Sequence, residues 1–170
     1  MAGKLVQVAT ETISSATASV TLTGINTDDV YMCAVNNLRV ETDIKQWGLR
    51  ITKSGSADVT ANYDFATKNL KANTSFANNA QVNLTFYSSQ FLGTGTGEAA
   101  NFILYCYNFN SSSEFSFMTL EEVVLDYATN NIGSQGGIVH TVASASDGLH
   151  FFEGTGTNLL SGTFTLYKVV

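Results

Sequence analysis

Apolar and polar residues alternate with a period of two along most of the chain, and no stretch keeps a long, convincing helical period. Ala18, Val20 and Leu22 alternate with Ser19, Thr21 and Thr23, ending at Gly24 before the turn formers Asn26 and Asp28. A strand patterned this way sets one face on a core and the other toward water. With 170 residues the chain is long enough for one real core and short for two full domains. The expectation is an all-β fold: a single domain over residues 1–170, built as an antiparallel two-sheet β-sandwich of about nine or ten strands. Jelly-roll connectivity is preferred among sandwiches, although alternation does not fix topology.

Several segments depart from the one-sided pattern. Val30 to Val35 is apolar on both faces, as a central or an interface strand would be. Trp47, Leu49 and Ile51 form an inward row against Gln46, Arg50 and Thr52, and Lys53-Ser54-Gly55-Ser56 has turn chemistry. Residues 56–81 are polar and rich in Asn and Ala, and read as a long loop with one helical turn or an irregular strand. Alternation resumes with Val82, Leu84 and Phe86 against Asn83, Thr85 and Tyr87.

Asn101 to Phe109 is the most buried-looking stretch. Phe102, Leu104 and Cys106 share one face and Ile103, Tyr105 and Tyr107 the other, so the second face needs a cover from a loop or a neighbouring subunit. Thr119 to Ala128 reads either as a capped helix with a Leu120, Val123, Val124, Tyr127 stripe or as a strand carrying Glu121, Val123 and Leu125. The β-branched pair Val123-Val124 favours the strand. Gly136-Gly137 interrupts an extended run and is expected to mark a bulge. Gly93-Thr94-Gly95-Thr96 before Phe102-Ile103-Leu104-Tyr105 echoes Gly154-Thr155-Gly156-Thr157 before Phe164-Thr165-Leu166-Tyr167. Either equivalent loop-and-strand units or chance in a Gly/Thr-rich chain explains the echo.

Composition narrows the function classes. Charged residues are 13% of the chain, so its polar surface comes from 21 Thr, 16 Ser and 15 Asn. Neither the net charge of −6 nor the spacing of the eight basic residues suggests a basic groove, and no nucleic-acid partner is expected. No apolar run is long enough for a membrane helix, and Met1-Ala2-Gly3-Lys4 does not open a secretory signal, so no membrane partner is expected either. Proline is absent, which leaves no strand edge guarded by it. Compositional drift accounts for that, as do edges covered by other subunits.

Candidate chemistry is sparse. His140 and His150 flank a turn, but no clear further ligand completes a zinc site, and His140 lies between Ile138 and Val142 as a core or interface residue. Asn26, Asp28 and Asp29 fit a turn better than a calcium site. Of Glu121 and Glu122, one is expected in solvent and the other paired or at an interface. Cys33 and Cys106 lie inside apolar strands as buried free thiols, and no Gly-x-Ser-x-Gly elbow occurs. Gly93 to Gly97 lacks the phosphate-loop ending and reads as a surface hairpin loop. Trp47, Tyr63, Tyr87, Tyr105 and Tyr107 offer material for a lectin-like sugar platform, weighed below a structural role for an aromatic-rich chain. No catalytic residue, cofactor or metal site is assigned.

The blocks Asp29-Val30-Tyr31-Met32 to Asn37, Leu49-Arg50-Ile51-Thr52-Lys53-Ser54-Gly55-Ser56-Ala57-Asp58, Asn62-Tyr63-Asp64, Gly136-Gly137-Ile138-Val139-His140-Thr141 and Ser161 to Tyr167 together resemble a family of small virion structural proteins of marine tailed bacteriophages. Ile103-Leu104-Tyr105 and Tyr107-Asn108-Phe109 agree with it. The resemblance implies a non-enzymatic virion protein, assembled in the host cytoplasm as a capsid decoration or cement protein. The alternative is a tail or fibre module with a host-glycan-binding role. The implied partners are further copies of the chain, as a homotrimer, and another virion protein, the major capsid protein. Ile103, Tyr105, Tyr107 and His140 are the expected subunit contacts. Leu5, Val6 and Val8 belong to residues 1–10, expected as an extended N-terminal arm or as a first strand.

Overall fold

Alternation becomes thirteen strands in the computed structural model, which describes residues 3–73 and 75–170. The first seven are β1 (Leu5–Ile13), β2 (Ser19–Thr23), β3 (Tyr31–Val40), β4 (Lys45–Lys53), β5 (Ser56–Ala57), β6 (Tyr63–Lys71) and β7 (Phe76–Leu84). Then come β8 (Tyr87–Leu92), β9 (Ala100–Tyr107), β10 (Ser116–Leu125), β11 (Asn131–His140), β12 (Gly148–Glu153) and β13 (Leu159–Val169). They build two antiparallel sheets. Eight strands run in the order β1-β13-β3-β9-β10-β11-β6-β7, and five in the order β2-β12-β4-β5 with β8 also on β4. The large sheet curls around the small one: β2 packs against β1 and β13, and β8 against β6 and β10. No helix long and apolar enough to cross a membrane occurs among the described residues.

One continuous core fills the space between the sheets. Trp47, Leu49, Ile51, Leu149 and Phe151 of the small sheet meet Phe102, Leu104, Leu120, Phe164 and Leu166 of the large one. Along β10 burial alternates at every residue through Val124, so the strand reading of this segment holds and the helical stripe does not form. Ser54 and Gly55 both have positive φ and join β4 to β5 in two residues, as a type I′ turn requires.

Several expectations are corrected. Residues 56–81 are not a loop: they contain β5, β6 and most of β7, which accounts for the excess over nine or ten strands. The inward side chains of β6 are Tyr63, Phe65, Thr67 and Asn69, and Gln81 and Asn79 stand opposite Phe65 and Thr67 on β7. Half of this inner face is polar, so it carries no apolar period to read. Val82 to Tyr87 is not one strand either, because the chain turns at Thr85-Phe86 and passes from the large sheet to the small one. Gly136-Gly137 makes no bulge, and pairing is unbroken to both β10 and β6. Glycine is needed at Gly136 for close approach: a Cβ there would lie 2.6 Å from the Thr67 Cα.

β1 is the first strand of its own sheet, pairing with β13 from Leu5 to Ile13. Met1 and Ala2 of the expected arm lie outside the described residues. The register shift between Gln7 and Ala9 lets Val8 pack on the core, whereas Leu5 and Val6 stay exposed on the edge.

The sequence echo is built into the pairing. Val35, Ala34, Cys33 and Met32 of β3 face Phe102, Ile103, Leu104 and Tyr105 on one side, and Phe164, Thr165, Leu166 and Tyr167 on the other. The preceding strands β8 and β12 likewise flank β4 in the small sheet. Each echoed Gly/Thr loop therefore crosses from a neighbour of β4 to a neighbour of β3. The Gly93–Gly97 segment is such a crossover, not a hairpin loop.

Gly136→Ala is expected to cost 2 kcal/mol or more, on the order of an overpacked core site, because backbone of β6 stands in the way. At Gly137 an added Cβ meets only ordinary contacts, and Gly137→Ala should cost less than about 1 kcal/mol. Urea unfolding of both variants tests this; equal losses would refute the close-approach account.

Candidate functional site

The two sheets are joined through one indole. Trp47, fully buried on β4, stacks on Phe102 of β9 with ring centroids 4.2 Å apart and planes 4° from parallel. Its Nε1–H donates to Glu122 Oε1 of β10 at 2.8 Å, and the Ser89 hydroxyl of β8 donates to the same oxygen at 2.5 Å. Glu121 points outward and Glu122 inward, so the buried member of the acidic pair is held by hydrogen bonds inside the chain. Burial pushes the Glu122 carboxyl up to about 7, against the lowering effect of Ser89, Trp47 and Ser134. A carboxyl that is neutral below that pH fits an apolar core at smaller desolvation cost than a carboxylate.

The outer face of the large sheet has a different chemistry. In register across it lie Tyr167, Met32, Tyr105, Thr119, Gly137 and Ala66. The row on one side holds Tyr107, Phe117 and Val139, and the row on the other holds Ile103, Glu121, Gln135 and Lys68. Phe117 is 44% exposed, Tyr105 38% and Ile103 37%. Phe117, Val139, Ala66, Ala80 and Val82 border an open apolar groove of about 650 Å³. Met32 in the central row is buried and Tyr107 is half-buried, whereas Ile103, Tyr105 and Phe117 remain more than a third exposed; the polar boundary of this belt is the Glu121–Gln135–Lys68 row.

His140 does not share that face. It is fully buried, pointing inward from the end of β11, and is removed from the expected contact set because its own chain encloses it. Its ring packs edge-on to Tyr63 at 4.9 Å, and Nε2 lies 3.3 Å from Asp58 Oδ2. Burial and the Lys53 ammonium lower its pKa, outweighing Asp58. Although burial works to raise it, the Asp58 carboxyl is held well below the carboxylate range by hydrogen bonds from Lys53 and Thr60. His150 projects from the other sheet and bonds Thr21 Oγ1 through Nδ1 at 2.8 Å, so the histidines do not converge. No group of three His, Cys, Asp or Glu side chains placed to hold a metal occurs among the described residues.

Cys33 and Cys106 are buried free thiols on neighbouring strands, and burial raises both pKa values far from reactivity. Trp47, Tyr63 and Tyr87 are almost fully buried, which removes three of the five aromatics considered for a sugar platform and leaves Tyr105 and Tyr107 outside. The partners of Glu122 were not legible in the sequence, since Ser89 and Trp47 reach it from another sheet. No family model matches the chain, and no curated protein matches it.

Glu122 carries a pH dependence whose sign is fixed. Its folded pKa of about 7 exceeds the ordinary 4.5, so the folded chain binds the extra proton between those values. Stability is greatest below the unfolded pKa and falls as pH rises toward the folded one, by roughly 3 kcal/mol in total. Glu122→Gln keeps an acceptor for Trp47 and Ser89 but does not titrate. Its advantage over the unmodified chain should grow by roughly that amount between about pH 5 and about pH 8. His140 and His150 titrate in both proteins and cancel in the difference. Urea unfolding at the two pH values checks it; a constant difference would refute the buried, titrating carboxyl.

Proposed function

We propose that this protein is a non-enzymatic virion structural protein, a capsid decoration or cement protein that bridges neighbouring shell subunits. The observation that carries the reading is the partly exposed apolar belt of Tyr105, Phe117 and Ile103 on the large sheet, with Tyr107 half-buried beside them. Apolar patches of this kind, rimmed by polar residues, favour a protein partner. The resemblance to small virion proteins of marine tailed phages supplies the setting. Repeated passage of the chain between sheets, as from β3 to β4 and from β12 to β13, favours a jelly-roll-like description of the sandwich.

In this reading the belt meets another copy, as a homotrimer, and the assembly seats on the major capsid protein. Covering Ile103, Tyr105 and Phe117 stabilises a contact by roughly 1 to 2 kcal/mol per side chain. Repetition over a shell turns modest contacts into lasting attachment. The free edges support the same reading: β1 and β7 end the large sheet without proline, and Phe76 and Val82 of β7 are strongly exposed. An edge of this kind accepts a strand from a neighbour.

Replacing Tyr105 and Tyr107 together by Ser should leave the melting temperature within a few degrees, because neither side chain belongs to the core. It should abolish self-association measured by sedimentation. A large loss of thermal stability with association intact would overturn the contact role. Electron cryo-microscopy of the particle tests the location: high copy number on the shell lattice is expected, and a few copies on the tail would favour the tail or fibre reading.

A further inference from the structure

At the free end of the large sheet, beyond the core residues Tyr63 and Phe65 of β6, Asn69 of β6 and Asn79 and Gln81 of β7 face β8 and the start of β4 across a cleft of about 420 Å³. Its walls include Gln46, Asn69, Asn79, Gln81, Ser88 and Gln90, and among the described residues no charged side chain lines it. Inward positions on the strands of a sandwich normally hold apolar groups, and polar ones there are costly unless bonded. Asn69 is 5% exposed, and its Oδ1 has no hydrogen-bond partner. The opposite wall is firmly held: Gln46 Nε2 donates to the Ser89 carbonyl, and the Ser89 hydroxyl donates to Glu122.

We propose that this cleft binds a neutral saccharide. Carboxamides and serine hydroxyls each donate and accept, which matches the paired donor and acceptor character of adjacent sugar hydroxyls. The uncharged lining gives nothing to hold a phosphate, a carboxylate or a cation. Phe91, also on the lining and 45% exposed, supplies an apolar surface for the C–H face of a sugar ring and is itself braced edge-on by Tyr127 at 6.4 Å. The volume lies in the range of small-ligand sites, with room for roughly one or two rings. A hydroxyl reaching the floor supplies the donor that Asn69 lacks, so an unmet group in the free chain becomes binding energy in the complex. Gln81 borders both this cleft and the apolar groove of the Tyr105 belt, but Gln46, Asn69, Ser88, Gln90 and Phe91 belong to the cleft and not to that groove, so the assignment does not depend on what covers the belt.

Titration of the full chain with glucose, galactose, mannose, N-acetylglucosamine, lactose and maltose, followed by the side-chain amide signals in NMR, tests the assignment. Saturable shifts confined to the carboxamides of the cleft are expected for at least one sugar. The double variant Asn79→Ala, Gln81→Ala lies on the edge strand outside the core, and should keep its fold while weakening binding about tenfold or more. Phe91→Ala should weaken it as well. Absence of saturable shifts with all six sugars would overturn the site and leave water as the occupant of the cleft. Binding undiminished in the double variant would overturn it too, as would tighter binding of glucuronate or glucose 6-phosphate than of any neutral sugar.

Discussion

The contact between Trp47 and the large sheet holds the architecture together. An indole stacked on Phe102 uses its whole face for dispersion and hydrophobic burial, while its single N–H must still find an acceptor in a region with no water. Glu122 supplies that acceptor, and Ser89 adds a second donor to the same oxygen. Three strands from two sheets are thereby fixed at one point: β4 by the indole, β8 by the serine and β10 by the carboxyl. The arrangement places an ionisable group in the core, and its protonation becomes part of the packing.

The second organising feature is the equivalence around β3 and β4. Strands β9 and β13 present Phe-x-Leu-Tyr in the same register on opposite sides of β3, and both Phe and both Leu enter the core. The same alternation sends Tyr105 and Tyr167 to the outer face, on either side of Met32. Core and outer belt are thus two consequences of one repeated pattern, because period two fixes both faces at once. A chain that builds its core this way also builds an apolar outer surface, and the proposed role in a particle gives that surface a partner.

Polarity inside the sandwich changes from one end to the other. Beneath the middle of the large sheet the inward residues are Phe102, Leu104 and Leu120; toward the β7 edge they become Thr67, Asn69, Asn79 and Gln81. The small sheet is narrower, so it covers the first group and leaves the second beside a cleft. Amides are tolerable there because one side of the cleft is open.

The sequence by itself determined the all-β class, the inward rows of Trp47-Leu49-Ile51 and Phe102-Leu104-Cys106, the buried state of both thiols and the outward placing of Ile103 and Tyr105. Each of these follows from local alternation, which is a property of neighbours along the chain. It failed at Tyr63–Leu84, where half of the inner face of a real hairpin is polar, and it left His140 open between core and interface, because its enclosure depends on Asp58 and Tyr63 arriving from other segments. Tertiary structure alone decided which strands adjoin, that Glu122 pairs with Trp47 and Ser89, and that scattered Asn and Gln residues line one cleft. These are contacts between residues far apart in the chain, and hydrophobic periodicity carries no record of which distant segment a polar side chain will meet.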